Sequence, residues 1–214
     1  FLAALILSQI EDGLYQLGDY LPALMSGDPG FQSLDMAMIP NVTIDQYLSQ
    51  RSGGGNTVGT SPARYFMMVA PTWEPADFMR LLYEPVVPPG SFRYADANAN
   101  LLGMLAEHIG GDHLDALYRK EFFNPLGIQA GLRPTIETPT DIAKPHGQKS
   151  WYGGSSGSGW GDLTQIEIFA GVDSIEADGR IAWAGAGIVS TAENMAKWAY
   201  ELYSPNGRAV SESV

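Results

Sequence analysis

The 214-residue sequence contains no cysteine. That excludes disulfides, thiolate-held metals and a thiol nucleophile. It leaves the compartment open, because extracytoplasmic proteins can fold without disulfides. Positive charge is also scarce: 12 Lys and Arg stand against 24 Asp and Glu, for a formal net charge of -12. An acidic surface repels phosphate backbones, so nucleic acid is not an expected partner. The charge reads as a solvated surface rather than a binding field. No apolar run approaches the ~20 residues that cross a bilayer. The histidines are His108, His113 and His146. None forms an HExxH pair, and His108 and His113 are five apart, off the i,i+4 face that two ligands on one helix would share. No metal site is expected. No Gly-Lys-Ser/Thr follows a glycine loop, so "SGGGN" at Ser52 to Asn56 reads as a flexible turn rather than a phosphate cradle.

What remains is the composition of a folded chain, with 45% hydrophobic and 17% charged residues. Apolar residues at Leu2, Leu5, Ile6, Ile10 and Leu14 predict a helix stopped at Gly13. "LYQLGDYLPAL" reads as a turn with a short helix, and "VTIDQYLSQRSGGG" as a short helix with Thr43 as its cap. "PADFMRLLYEP" is a further helix ended by "VVPPG". A helix reaching Gly110 follows "FRYAD", and "DHLDALYRKEFFNPLGI" is one more helix, stopped at "NPLG". "WYGGSSGSGWGD" reads as a mobile surface loop, and "IEADGRIAW" as a hairpin turning at Asp178-Gly179. In the last helix, "VSTAENMAKWAYELYS", Ser190 and Glu193 fit a capping box. The pattern is mostly helical with a few strands, without a repeat at solenoid spacing.

Candidate chemistry is sparse. "GGSSG", Gly153 to Gly157, fits G-x-S-x-G in form. That motif works as a strained strand-to-helix turn with a histidine later in the chain. Here no apolar strand precedes it and no histidine follows Ser155. Tyr94 stands in a polar turn just before a helix. A phenol is a poor base at neutral pH unless a neighbouring cation favours its charged form. The lysines are Lys120, Lys144, Lys149 and Lys197, and no serine lies three residues before any of them. The residues alone therefore show a candidate tyrosine without a nucleophile. Asn98 reads as a cap or turn residue, and a cap is an alternative reading of Asp96.

Five segments, in this order, resemble the serine β-lactamase-related superfamily, which includes class C β-lactamases, penicillin-binding-protein-like carboxypeptidases and esterases. "FLAALILSQIEDGLYQLGDYLP" is similar to the family helix that carries the nucleophile, with its following turn. "VTIDQYLSQRSGG" is similar to a segment usually ending His-Thr-Ser-Gly. "VPPGSFRYADANANLLG" resembles the Pro-Gly, aromatic, Tyr-x-Asn block. "EFFNPLGI" and "GAGIVSTAENMAKW" are similar to two later helix boundaries. Single matches are weak; the shared order is specific.

The resemblance implies an α+β, β-lactamase/transpeptidase-like fold, represented by its helical central portion. Residues 1–214 would be one partial domain, cut at both ends. The family's Ser-x-x-Lys would lie just before Phe1, and its Lys/His-x-Gly beyond Val214. His108-Ile109-Gly110 would then be structural. Tyr94 would be the catalytic proton-transfer residue. Asp96 would stand at the substrate-binding position, where the family usually has asparagine. An ionised carboxylate accepts hydrogen bonds and cannot donate one to an amide carbonyl, but it can hold a lysine. That moves the expected substrate from β-lactams toward esters, then D-amino-acid peptides. The implied reaction is acyl transfer through a serine ester, on a small-molecule or peptide substrate, without metal or organic cofactor. A non-catalytic binding relative on the same fold is the alternative. The resemblance also implies a periplasmic or secreted location; nothing in the sequence sets an oligomeric state. The chain by itself is expected to be inactive, and weakly stable because a helical layer without its sheet exposes an apolar face.

Overall fold

A computed structural model describes residues 1–56, 74–82, 84–132, 146–148, 160–162, 167–169, 172–173 and 183–211. Helix α1 (Leu2–Glu11) follows the predicted spacing and buries Ala4, Leu5 and Ile6; Gly13 ends it at φ +74°. Two short helices follow, α2 (Leu21–Leu24) and α3 (Pro29–Gln32), each with a proline in its first turn. A 3-10 turn, Met36–Met38, leads to α4 (Ile44–Leu48). Thr43 caps α4 as expected, in a capping box with Gln46. Helix α5 is confined to Pro75–Met79.

The centre of the molecule is α6 (Asp96–Gly110), ended by Gly111 in the left-handed region. It packs against α1, α4, α5 and the following helix, and Leu101, Leu102, Leu105 and Ala106 are all buried along it. An element with neighbours on so many sides is buried over most of its circumference.

The next segment departs from the expected single helix. It is divided into α7 (Leu114–Tyr118), a π-helical turn (Arg119–Phe123) and α8 (Asn124–Leu126). Pro125 supplies the reason. It has no N–H for the Glu121 carbonyl, and its ring would crowd that carbonyl in a regular α-helix; widening the preceding turn relieves both. The wide turn delivers Phe122 and Phe123 to the core. Phe1 stacks on Trp198 with centroids 4.1 Å apart and meets Phe123 edge-on at 5.3 Å. Such pairs contribute about 0.5–1.5 kcal/mol each beyond burial, and they anchor the first turn of α1.

Among the described residues the strands form three antiparallel pairs. β1 (Ala130–Leu132) pairs with β6 (Ile188–Ser190), β2 (His146–Gln148) with β3 (Trp160–Asp162), and β4 (Glu167–Phe169) with β5 (Val172–Asp173). Residues 160–162 thus belong to a strand rather than to the predicted loop; residues 151–159 of that loop and the turn at Asp178-Gly179 lie outside the described residues. Helix α9 (Ala192–Tyr203) is capped by Thr191, not Ser190. Ser190 pairs with Ala130 and donates its hydroxyl to the Gln129 carbonyl, so the helix starts one residue later.

Candidate active site

Pro88, Pro89 and Gly90 end the segment after α5, and the chain then runs extended into Ala95. It lies antiparallel to residues 50–53. Val87 N–H donates to Gly53 O, Gly90 N–H to Arg51 O and Arg93 N–H to Gln50 O, at 2.8–2.9 Å. The glycine run allows this approach. A Cβ at Gly53, whose φ is +76°, would sit 2.2 Å from the Val87 carbonyl oxygen, and one at Gly55 would sit 2.3 Å from that of Glu84. Residues 52–55 are buried. The expected flexible turn is instead a packed seam, because its glycines are spent on close backbone contact.

Polar side chains complete the seam. Gln50 Oε1 accepts from Ala95 N–H at 3.0 Å and from Asn98 Nδ2 at 2.7 Å. Asn98 Oδ1 accepts from the Ser52 hydroxyl at 2.7 Å, and Ser52 Oγ accepts from Gly54 N–H at 3.0 Å. Asn56 Oδ1 accepts from Asp96 N–H at 3.1 Å, while its amide nitrogen donates to Glu84 Oε2 at 2.9 Å. Glu84 also holds Arg93 Nη2 at 2.9 Å. Helix α6 begins after Ala95, which has no side-chain oxygen to cap it. Gln50 and Asn56 therefore satisfy, from a distant loop, N–H groups at a helix start that local sequence leaves open.

Tyr94 lies in the middle of this anchored turn with its side chain in solvent, 65% exposed. It is not a packed core aromatic. Asp96 lies two residues away as the first residue of α6, half-buried, and it is not the cap. Asn98 is neither cap nor surface turn. It is wholly buried, with donor and acceptor both matched. Sequence reading missed Gln50, Ser52, Asn56 and Asn98 as one unit. The available signal was a set of amide and hydroxyl side chains at the edges of a glycine run.

Gln50 also borders a cavity of about 590 Å3 at the start of α1, together with Phe1, Leu2, Ala99, Gly185 and Ser190. His108 Nδ1 lies 3.5 Å from Asp28, and His113 Nδ1 3.8 Å from Glu107, both near the far end of α6. Among the described residues there is no group of three or more His, Cys, Asp or Glu side chains arranged to hold a metal. "GGSSG", Lys144 and Lys149 lie outside the described residues. Lys197 donates to the Gly127 carbonyl at 3.1 Å.

The family model described as Beta-lactamase matches residues 1–214. The chain belongs to the β-lactamase family. Its fold is β-lactamase/transpeptidase-like, a serine-hydrolase-type fold seen here in a helix-rich portion. A D-stereospecific amidohydrolase from Streptomyces sp. superimposes with a TM-score of 0.71 at 20% identity, over 99% of this chain and 60% of that one. The D-amino acid amidase from Ochrobactrum anthropi SV3, complexed with D-phenylalanine, gives 0.72 at 17% identity, over 99% and 56%. EstCE1, a hydrolase with promiscuous acyltransferase activity, gives 0.68 at 19%, over 99% and 58%. The chain thus spans little more than half the length of these relatives. No curated protein sequence matches it. Among the described residues no helix is long and apolar enough to cross a membrane.

Proposed function

We propose that these residues form the central part of a serine hydrolase that works through an acyl-enzyme. Esters are the preferred substrates, then D-amino-acid peptides or amides, then β-lactams. The observation that carries the reading is Tyr94: its phenol stands in solvent while the backbone on both sides of it is tied down. A proton carrier needs that combination of an accessible oxygen and a fixed base. The fold likeness to a D-stereospecific amidohydrolase, a D-amino acid amidase and a hydrolase with promiscuous acyltransferase activity supports the reaction class.

In this reading the serine is supplied by a Ser-x-x-Lys preceding Phe1. As the serine oxygen bonds the substrate carbonyl carbon, its proton passes to the Tyr94 oxygen, whose charged form the lysine of that motif would favour. The phenol returns that proton to the departing alcohol or amine as the carbonyl–heteroatom bond breaks. Water then attacks the serine ester, giving up a proton to the phenolate, and the serine leaves with it. Asp96 only accepts hydrogen bonds when ionised, so it suits holding an ammonium better than a substrate amide carbonyl. A periplasmic or secreted setting belongs to the same proposal.

The test uses the full-length protein with a fluorophosphonate probe and p-nitrophenyl acetate. Labelling of a serine upstream of Phe1, with turnover lost in Tyr94→Phe, is expected. The 214 residues alone should turn over no ester. Absence of label on such a serine would leave the second reading, a non-catalytic binding relative, which the carboxylate at position 96 favours.

A further inference from the structure

We propose that Gln50 is the positioning residue for Tyr94, clamping the chain on both sides of it. The inference rests on the reading of Tyr94 as the proton carrier. Two contacts made by this one residue carry it. The backbone carbonyl of Gln50 accepts from Arg93 N–H at 2.8 Å, and its side-chain oxygen accepts from Ala95 N–H at 3.0 Å. The residues immediately before and after Tyr94 are thus fastened to the same point. Tyr94 itself keeps its ring in solvent.

The direction of every bond in the cluster is fixed from its two ends. Ala95 N–H can only donate, so the Gln50 atom facing it is oxygen. Asn98 must then present its NH2 to that oxygen and its Oδ1 to Ser52. The Ser52 hydroxyl must donate, and its oxygen is left to accept from Gly54 N–H. Each oxygen and nitrogen along this path has a partner. The path depends on one oxygen taking two protons, which an amide carbonyl does with its two lone pairs. Gln50 also holds a φ of +57°, a left-handed conformation uncommon for side chains other than glycine, asparagine and aspartate. Local preference did not select glutamine here; the contacts to residues 95 and 98 account for it.

The similar family segment usually ends His-Thr-Ser-Gly, with Gln50 in the histidine's place. A neutral imidazole nitrogen has one lone pair and can take one of the two protons; a protonated imidazole takes neither. Glutamine makes the clamp complete and independent of pH. Its geometry is then the same wherever the phenol itself is competent.

The experiment compares full-length wild type, Gln50→Ala, Gln50→His and Tyr94→Phe on p-nitrophenyl acetate. Misplacing a reacting group by about 1 Å costs up to roughly 100-fold. Gln50→Ala should therefore lower kcat by roughly 10- to 100-fold, with KM changed by less than about twofold. Gln50→His should keep more activity at about pH 8 and lose it as pH falls through about 6.5, the ordinary histidine range, on a limb that wild type lacks. Amide exchange at Ala95 should quicken in Gln50→Ala. A purely structural role would lower the melting temperature and leave kcat, measured below it, unchanged. Tyr94→Phe inactive with Gln50→Ala at wild-type kcat overturns the clamp alone. Tyr94→Phe fully active, or wild type without turnover, overturns the Tyr94 reading and the clamp with it. If Gln50→Ala does not fold, the pH limb of Gln50→His decides: its absence counts against the clamp.

Discussion

Asn98→Asp exchanges one NH2 group for an oxygen at a wholly buried site. Size and shape barely change, so the effect isolates the hydrogen-bond pattern. One carboxylate oxygen would still accept from Ser52. The other would face Gln50 Oε1 across a gap now closed by a 2.7 Å hydrogen bond, with no proton between them. Turning Gln50 over only moves the mismatch to Ala95 N–H. Gln50 keeps Ala95 N–H, but the second carboxylate oxygen is left buried, charged and unmatched, which costs more than the ~1–3 kcal/mol of a neutral group, or about 3–4 kcal/mol near neutral pH. The alternative is to protonate the new carboxyl, which restores a donor toward Gln50. From an ordinary aspartate value near 3.9, that costs about 5 kcal/mol at pH 7.5 but only about 1 kcal/mol at pH 4.5. The folded variant thus binds more protons than its unfolded chain above the ordinary aspartate value, and its stability falls as pH rises. At roughly 2–4 °C per kcal/mol for a chain of this size, melting should drop by about 6–16 °C at pH 7.5 and about 2–4 °C at pH 4.5, relative to wild type at each pH. Thermal unfolding followed by circular dichroism at both pH values is the assay. An equal drop at the two pH values, or the larger drop at pH 4.5, would refute the assigned bond directions.

Gly53→Ala should destabilise by at least about 2 kcal/mol in chemical denaturation, because its Cβ meets the Val87 carbonyl at 2.2 Å and φ is +76°; Gly18→Ala, which meets no atom within 4 Å, should stay within about 0.5 kcal/mol of wild type. Burial pushes the Glu107 carboxyl above the usual range, against the opposing pull of Leu114 N–H and His113. The folded chain therefore holds extra protons from the ordinary glutamate range up to that raised value, and stability is lost as pH rises across the interval. Glu107→Gln keeps an acceptor for Leu114 N–H, and its melting temperature should fall less between about pH 4 and pH 7 than that of wild type; parallel curves would show that Glu107 is not responsible.

The sequence by itself determined whatever rests on local periodicity or a single residue's chemistry. The span of α1, the Thr43 cap, the end of α6 and the stop at Gly127 were all legible, because apolar spacing, hydroxyl caps and left-handed glycines act within a few residues. The order of five segments likewise pointed to the family that residues 1–214 match. Where a choice depended on a distant partner, local rules misled. Ser190 fits a capping box, yet pairing with Ala130 draws it into a strand. Ser52 to Asn56 has the composition of a loose turn, yet backbone contact with residues 84 and 87 buries residues 52–55. Asn98 has the composition of a cap, and only the approach of Gln50 and Ser52, more than 40 residues earlier, shows what its two polar atoms do. Tyr94 could be singled out from the chain alone. That its neighbours are held while its ring is free was decided by tertiary structure, since hydrogen bonds between distant segments exist only once the chain has brought them together.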